Sequence, residues 1–269
     1  MNYVSSLIKE IFLKRKMIWD LSKADFRKRF VGSYFGVVWM FVQPMATVLV
    51  YFFVFQVGMK STPPVDYPYV IWLVPGIVPW FYFSEALNGV TNCLTEYSYL
   101  VKKVVFKVEI LPVIKLISCL FVHVFFVIIM LLVFLVFRVT PRATWIQIIY
   151  YTFAASMLVM GLGFLTSAVQ VFFKDMAQII GIFLQFGMWL TPIMYDESLF
   201  AGRGSFIITA LKLNPFYYIV TGYRQSMLTG DWFWQRPNLT LYFWAVTLII
   251  MLAGLKVFKR LRPHFSDVL

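Results

Sequence analysis

Apolar residues fall in six long runs separated by short polar stretches, near Ser33–Val57, Val70–Asn92, Val113–Phe137, Trp145–Val171, Met176–Met194 and Leu239–Val257. A helix needs about 20 mostly apolar residues to cross a bilayer, so each run reads as a transmembrane helix. The fifth is the shortest, and only Lys174 and Asp175 separate it from the fourth. Ahead of the first run, Leu7, Ile8, Ile11, Phe12, Ile18, Trp19 and Phe26 recur mostly at three- and four-residue steps, while Lys and Arg take much of the other face. That pattern predicts an amphipathic helix within residues 1–32, lying in the membrane interface. Periodicity leaves two uses open for it, a lipid-headgroup anchor or a docking surface for a cytoplasmic partner.

Two connecting segments are too apolar to be plain loops. Between the second and third runs, Leu100-Val101-Lys102-Lys103-Val104-Val105-Phe106 is too short to span. It reads either as a short helix offering Val101, Val105 and Phe106 to another protein or as a loop resting on headgroups through its lysines. Between the fifth and sixth runs lie more than 40 residues, Tyr195–Asn238, with two short apolar stretches, Phe206–Leu213 and Phe216–Met227, divided by Asn214-Pro215. Proline breaks the helix ahead of it, so a pair of short helices is predicted, either re-entrant or flat at the outer interface. The whole is an all-α membrane protein of one domain: an interface helix over 1–32, six spans over 33–258 and a tail over 259–269.

Composition agrees, at 61% hydrophobic and only 13% charged, against roughly 45–50% apolar for soluble domains. The formal charge of +12 would fit a nucleic-acid groove in a soluble protein. Its distribution argues for topology instead. With both termini cytoplasmic, inside segments carry 17 of the 24 Lys and Arg and outside segments 7, the excess expected of a multi-pass cytoplasmic-membrane protein. No nucleic-acid partner is expected, and membrane lipids are.

The chemistry is sparse. The sequence contains no G-x-x-x-x-G-K-[ST] phosphate loop, and its two cysteines and two histidines form no metal-ligand spacing, so no catalytic residue, metal or bound cofactor is expected in this chain. His123, mid-span, reads as packed against a neighbouring helix. Glu85 is the only acidic residue inside a predicted span, either hydrogen-bonded to another helix or facing a cavity. The 53 aromatic residues cluster toward span ends, where interface belts and walls for a sugar are alternative uses.

Several motifs in order resemble the membrane-spanning subunits of bacterial ABC-2-type polysaccharide exporters, which handle O-antigen, capsule or teichoic acid. They are Asp25-Phe26-Arg27-Lys28-Arg29-Phe30 with Ser33, Gly36, Trp39 and Gln43-Pro44, then Gly76, Pro79-Trp80 and Phe83. Next come Lys102-Lys103-Val104-Val105-Phe106 with Glu109-Ile110-Leu111-Pro112, and Phe172-Phe173-Lys174-Asp175. Thr191-Pro192-Ile193, Tyr195, Asn214-Pro215 and the tail Arg262–Leu269 complete the set. The resemblance implies a homodimeric permease for a lipid-linked polysaccharide, not itself an enzyme, served by two cytoplasmic ATPase subunits that bind ATP and Mg. It further implies ATPase coupling through Lys102, Lys103, Val105, Phe106 and Glu109, with Lys174 and Asp175 as a second contact. The interface helix contributes Trp19, Phe26, Arg27 and Arg29. The substrate path takes Trp39, Trp80, Phe83 and Glu85, and the re-entrant turn Asn214 and Pro215. An ABC-2 permease for drugs or other lipids, and a membrane enzyme acting on a lipid-linked sugar, are the alternatives.

Overall fold

Backbone groups inside lipid have no water to bind, and a helix satisfies them within a single segment. Among the described residues every regular element is accordingly helical. The structure, a computed structural model, describes residues 2–29, 34–60, 65, 67–102, 107–200 and 205–269. The helices are α1 (Asn2–Leu13), α2 (Arg15–Lys28), α3 (Trp39–Tyr51, continued by a π-helical stretch Phe52–Gly58), α4 (Tyr69–Glu96), α5 (Ser98–Val101) and α6 (Ile110–Val136). They continue with α7 (Gln147–Phe172), α8 (Met176–Leu190), α9 (Ser205–Leu213), α10 (Pro215–Arg224, continued by a π-helical stretch Gln225–Thr229), α11 (Pro237–Leu261) and α12 (Phe265–Val268).

Among the described residues five helical segments, Trp39–Gly58, Tyr69–Glu96, Ile110–Val136, Ala143–Phe172 and Pro237–Val268, are long and apolar enough to cross a membrane. The fifth apolar run forms α8, whose 15 residues give about 22 Å against a hydrocarbon core of about 30 Å. It stops because Thr191, ahead of Pro192, takes an extended conformation. The chain then enters a buried strap, Thr191–Met194.

Helix α4 is the axis of the bundle and is buried along most of its length against α6, α7, α8 and α10. Interhelical hydrogen bonds tie it down, from Tyr82 to Ser156 and from Thr91 to Thr166, both at 2.7 Å. His123 of α6 shares its Nε2 between Thr152 of α7 at 3.1 Å and Tyr223 of α10 at 3.0 Å, which is the packing role read for it. Small residues set the closest approaches, as expected where lipid supplies no hydrophobic drive between helices. A methyl on Gly254 of α11 would strike the Gly161 carbonyl oxygen of α7.

Two features depart from a uniform bundle. Helix α3 has no buried residue, and Leu49 and the following Phe53 are 63% and 65% exposed. The amino-terminal segment is two helices meeting at Lys14 where one was expected, and α2 packs on α6 through Ile18, Ser22 and Asp25. Gly254→Ala is expected to overpack the α7–α11 contact at a cost of about 1–3 kcal/mol. Gly181→Ala, where a methyl meets nothing within 4 Å, leaves stability unchanged or slightly higher. Thermal melting of the detergent-solubilised protein compares the two.

Candidate functional site

Asp25, 3% exposed, is the residue on which the amino-terminal helices are seated. Its Oδ1 accepts from the Tyr97 hydroxyl at 2.5 Å and from Lys115 Nζ at 3.1 Å, and its Oδ2 lies 3.4 Å from Arg29 Nη2. Lys115 also reaches Glu96 at 2.6 Å, while Arg29 pairs with Glu85 and donates to Cys119 Sγ at 3.0 Å. Charges therefore alternate through Glu96, Lys115, Asp25, Arg29 and Glu85, running from α4 through α6 and α2 back to α4. Gly89 makes room for the chain, because a methyl there would lie 3.1 Å from Lys115 Cε. Burial pushes the Asp25 carboxyl up, but Ser118, Tyr97 and the Lys115 ammonium outweigh it and hold it below the ordinary carboxylate range.

At Glu85 the charged chain meets a groove of about 480 Å³ between α3, α4 and α6. Gln43, Thr47, Ser84 and Asn88 supply polar wall, and Trp39, Phe81 and Phe126 supply aromatic wall. Ionisable and amide side chains are costly at membrane depth unless they face protein or a hydrated cavity, and here they gather on one groove. Of the four predicted path residues, the structure brings Trp39 and Glu85 together here. Trp80 and Phe83 lie elsewhere, 4% and 3% exposed, packed on Phe216 of α10 at ring-centroid distances of 5.2 and 4.5 Å.

The predicted coupling residues divide in the same way. Lys102 is exposed, whereas Lys103, Val105 and Phe106 lie outside the described residues. Glu109 is 3% exposed and ion-paired with Arg262 of the tail, and Lys107 pairs with Glu10 of α1. Lys107 holds the Glu10 carboxyl below its ordinary range. The connection into α6 is thus tied to both ends of the chain. Lys174 and Asp175 form an exposed turn that Gln170 bridges, donating to the Lys174 carbonyl at 3.1 Å and accepting from the Ala177 N–H at 2.8 Å. Trp19 and Phe26 meet Phe121 of α6 edge to face, at 5.0 and 6.1 Å. Arg27 is exposed beside Lys23 and Lys28 on the outer side of α2.

At the opposite end, Asn214 caps α10 by accepting from the Phe216 N–H at 3.0 Å, and Pro215 starts that helix. Asn214 also donates to Thr191 at 2.8 Å, joining the break between α9 and α10 to the strap after α8. Helix α10 is buried by α4, α7 and α11, so protein covers this turn of the chain.

Lys115, Glu96, Tyr97 and Gln170 were not singled out from sequence, and Asp25 only as the first residue of the motif Asp25–Phe30. Removing one partner of a buried ion pair leaves the other uncompensated, so Lys115→Met is expected to cost about 3–5 kcal/mol, and the double variant Asp25→Leu/Lys115→Met to recover most of it. Melting temperatures of the three proteins check this. Because the Asp25 carboxyl is held low, its contribution is complete above the ordinary carboxylate range and is lost only as pH falls through the lowered value. A solvatochromic dye on Ala24→Cys is expected to report α2 seated at neutral pH and released only in stronger acid.

The profile of the ABC-2 type transporter family matches residues 17–228. The chain is 24% identical over 251 residues to the O-antigen export system permease protein RfbA of Klebsiella pneumoniae, covering 93% of each. It is 24% identical over 263 residues to the RfbA protein of Myxococcus xanthus, covering 97% of this chain and 98% of that one. Against the polysialic acid transport protein KpsM of Escherichia coli it is 21% identical over 238 residues, 87% and 89% of the two chains. With the family profile spanning most of α2, the groove and the capped α10, this chain belongs to the ABC-2 type transporter family.

Proposed function

We propose that this chain is the permease subunit of an exporter that moves a lipid-linked polysaccharide across the bacterial cytoplasmic membrane, driven by ATP hydrolysis in separate ATPase subunits. The observation that carries this reading is similarity over 93% and 97% of the chain to permeases named for O-antigen export. The groove supports it, since hydroxyl-rich cargo needs polar partners at membrane depth and Gln43, Ser84, Glu85 and Asn88 supply them.

In this reading both termini and the basic end are cytoplasmic, and the chain crosses six times, with α8 and its strap completing the fifth crossing. Two copies assemble, burying the apolar faces that α3 and α8 leave exposed, where Phe186 and Trp189 are 66% and 54% exposed. Lys102, Lys103, Val105 and Phe106 meet the ATPase, with Lys174 and Asp175 as a second contact. Glu109 acts from behind by fixing the loop to the tail. Movement of the ATPases displaces α1 and α2, and the Asp25–Lys115 and Arg29–Glu85 pairs carry that displacement to the groove wall.

Deletion of the gene is expected to remove the surface glycan and leave its lipid-linked form inside the cell, and unchanged surface glycan would overturn the reading. In a complex reconstituted with the ATPase encoded beside it, Lys102→Glu/Lys103→Glu is expected to lower permease-dependent ATPase stimulation about tenfold while membrane insertion is unchanged.

A further inference from the structure

A second cavity, of about 220 Å³, opens at the end of the bundle away from the termini. Trp72 of α4, Tyr217, Arg224 and Gln225 from α10 and its continuation, Asp196 and Glu197 beyond the strap, and the exposed Arg236 line it. Its centre of charge is Arg224, only 8% exposed. The guanidinium donates to the main-chain carbonyls of Trp72, at 3.2 Å, and of Pro192 and Ile193, and it lies 3.5 Å over the Trp72 ring. Gly76 permits this position, because a methyl there would stand 2.7 Å from Nη2. Among the described residues no carboxylate lies within ion-pair distance of Arg224. The cation is fixed in advance of any ligand by three carbonyl dipoles and the face of the Trp72 ring.

The two carboxylates lining the cavity are held as well. Asp196 accepts the Ser198 N–H at 2.9 Å, and Glu197 accepts the Tyr217 hydroxyl at 2.8 Å and pairs with Lys212 at 3.4 Å. An ionised carboxylate has about four acceptor positions, so each retains capacity for more donors. An anionic ligand would face Asp196 and Glu197, and a cationic one would face Arg224 and Arg236. A neutral ring bearing vicinal hydroxyls satisfies both, donating to the carboxylates and accepting from guanidinium and amide. The Arg224 guanidinium already covers one face of Trp72, so recognition here runs through charge-assisted hydrogen bonds more than ring stacking.

We propose that this cavity binds one neutral pyranose unit of the glycan as it leaves the permease, an inference that rests on the exporter reading above. Because Arg224 holds the Pro192 and Ile193 carbonyls, a bound sugar also touches the strap that ends α8, and so connects the departing chain to the packing of α8 and α4.

The test is saturation-transfer NMR on the full chain in nanodiscs, with D-glucose, D-galactose, D-mannose, L-rhamnose and N-acetyl-D-glucosamine as probes and open-chain sorbitol as control. At least one pyranose is expected to receive transfer above sorbitol, and Asp196→Asn and Gln225→Ala each to weaken it about tenfold. Both positions are partly exposed, so the variants are expected to fold, and melting temperatures confirm that they do. No pyranose above sorbitol, or transfer that survives both substitutions, overturns the site. If that happens while the deletion strain still accumulates glycan inside, the exporter reading stands without it. If deletion leaves surface glycan unchanged, the exporter reading falls and this proposal falls with it.

Discussion

The buried pair of Asp25 and Lys115 is the constraint on which the rest of the architecture depends. An amphipathic helix at a membrane surface is ordinarily held by diffuse forces, apolar burial among acyl chains and attraction to headgroups, and such a helix slides and tilts at small cost. A carboxylate and an ammonium withdrawn from water behave differently. Each is tolerable only while the other is in place, and the geometry tolerates little error. Here the carboxylate belongs to α2 and the ammonium to α6, with Tyr97, just past the end of α4, as a third partner. The helix is therefore keyed to the bundle at one register, and Ser22 reinforces that register by donating to the Ile114 carbonyl at 3.1 Å.

Keying has a consequence for transmission. Arg29 lies one turn beyond Asp25 and contacts it, so the same helix that bears on Lys115 also bears on Glu85 in the groove. Around this centre the elements at the end of the bundle that holds the termini are cross-tied, through Glu10 with Lys107, Glu109 with Arg262 and Phe172 with Phe265 at 6.1 Å. The opposite end has its own fastening, in which Arg224, Asn214 and Tyr69 hold the strap after α8. Helix α3 stands apart from both, with no buried residue, and it forms the loosest wall of the groove. The proposed export mechanism thus has a rigid inner frame, a rigid outer frame and one weakly packed wall between them.

Much of this was legible in the residues. Each of the six apolar runs contains a helix, the fifth only as far as Leu190, and the break at Asn214-Pro215 falls where a capping amide and a proline at the first helical position put it. The seating of α2 was not legible, for a physical reason. Periodicity assigns polar residues to the exposed face, yet α2 buries Ser22 and Asp25 and leaves Trp19 47% exposed. The partners that make this favourable lie 72 and 90 residues along the chain, where no local pattern reaches. Glu85 shows the same limit. Its two readings, interhelical partner and groove lining, were open from sequence because Arg29 lies 56 residues earlier, and the structure gives it both roles. Trp80 and Phe83, expected beside Glu85 on the substrate path, pack on Phe216 of α10 instead, since helical rotation separates them from Glu85.

The most direct measurement of the central claim, that the keyed helix carries ATPase motion to the polysaccharide groove, is the number of glycan chains moved per ATP hydrolysed in proteoliposomes holding this chain and its ATPase. With the paired charges replaced by the packed apolar pair Asp25→Leu/Lys115→Met, which keeps α2 docked but removes its fixed register, the account predicts that hydrolysis persists while glycan movement per ATP falls severalfold. An unchanged ratio in a folded complex would contradict it.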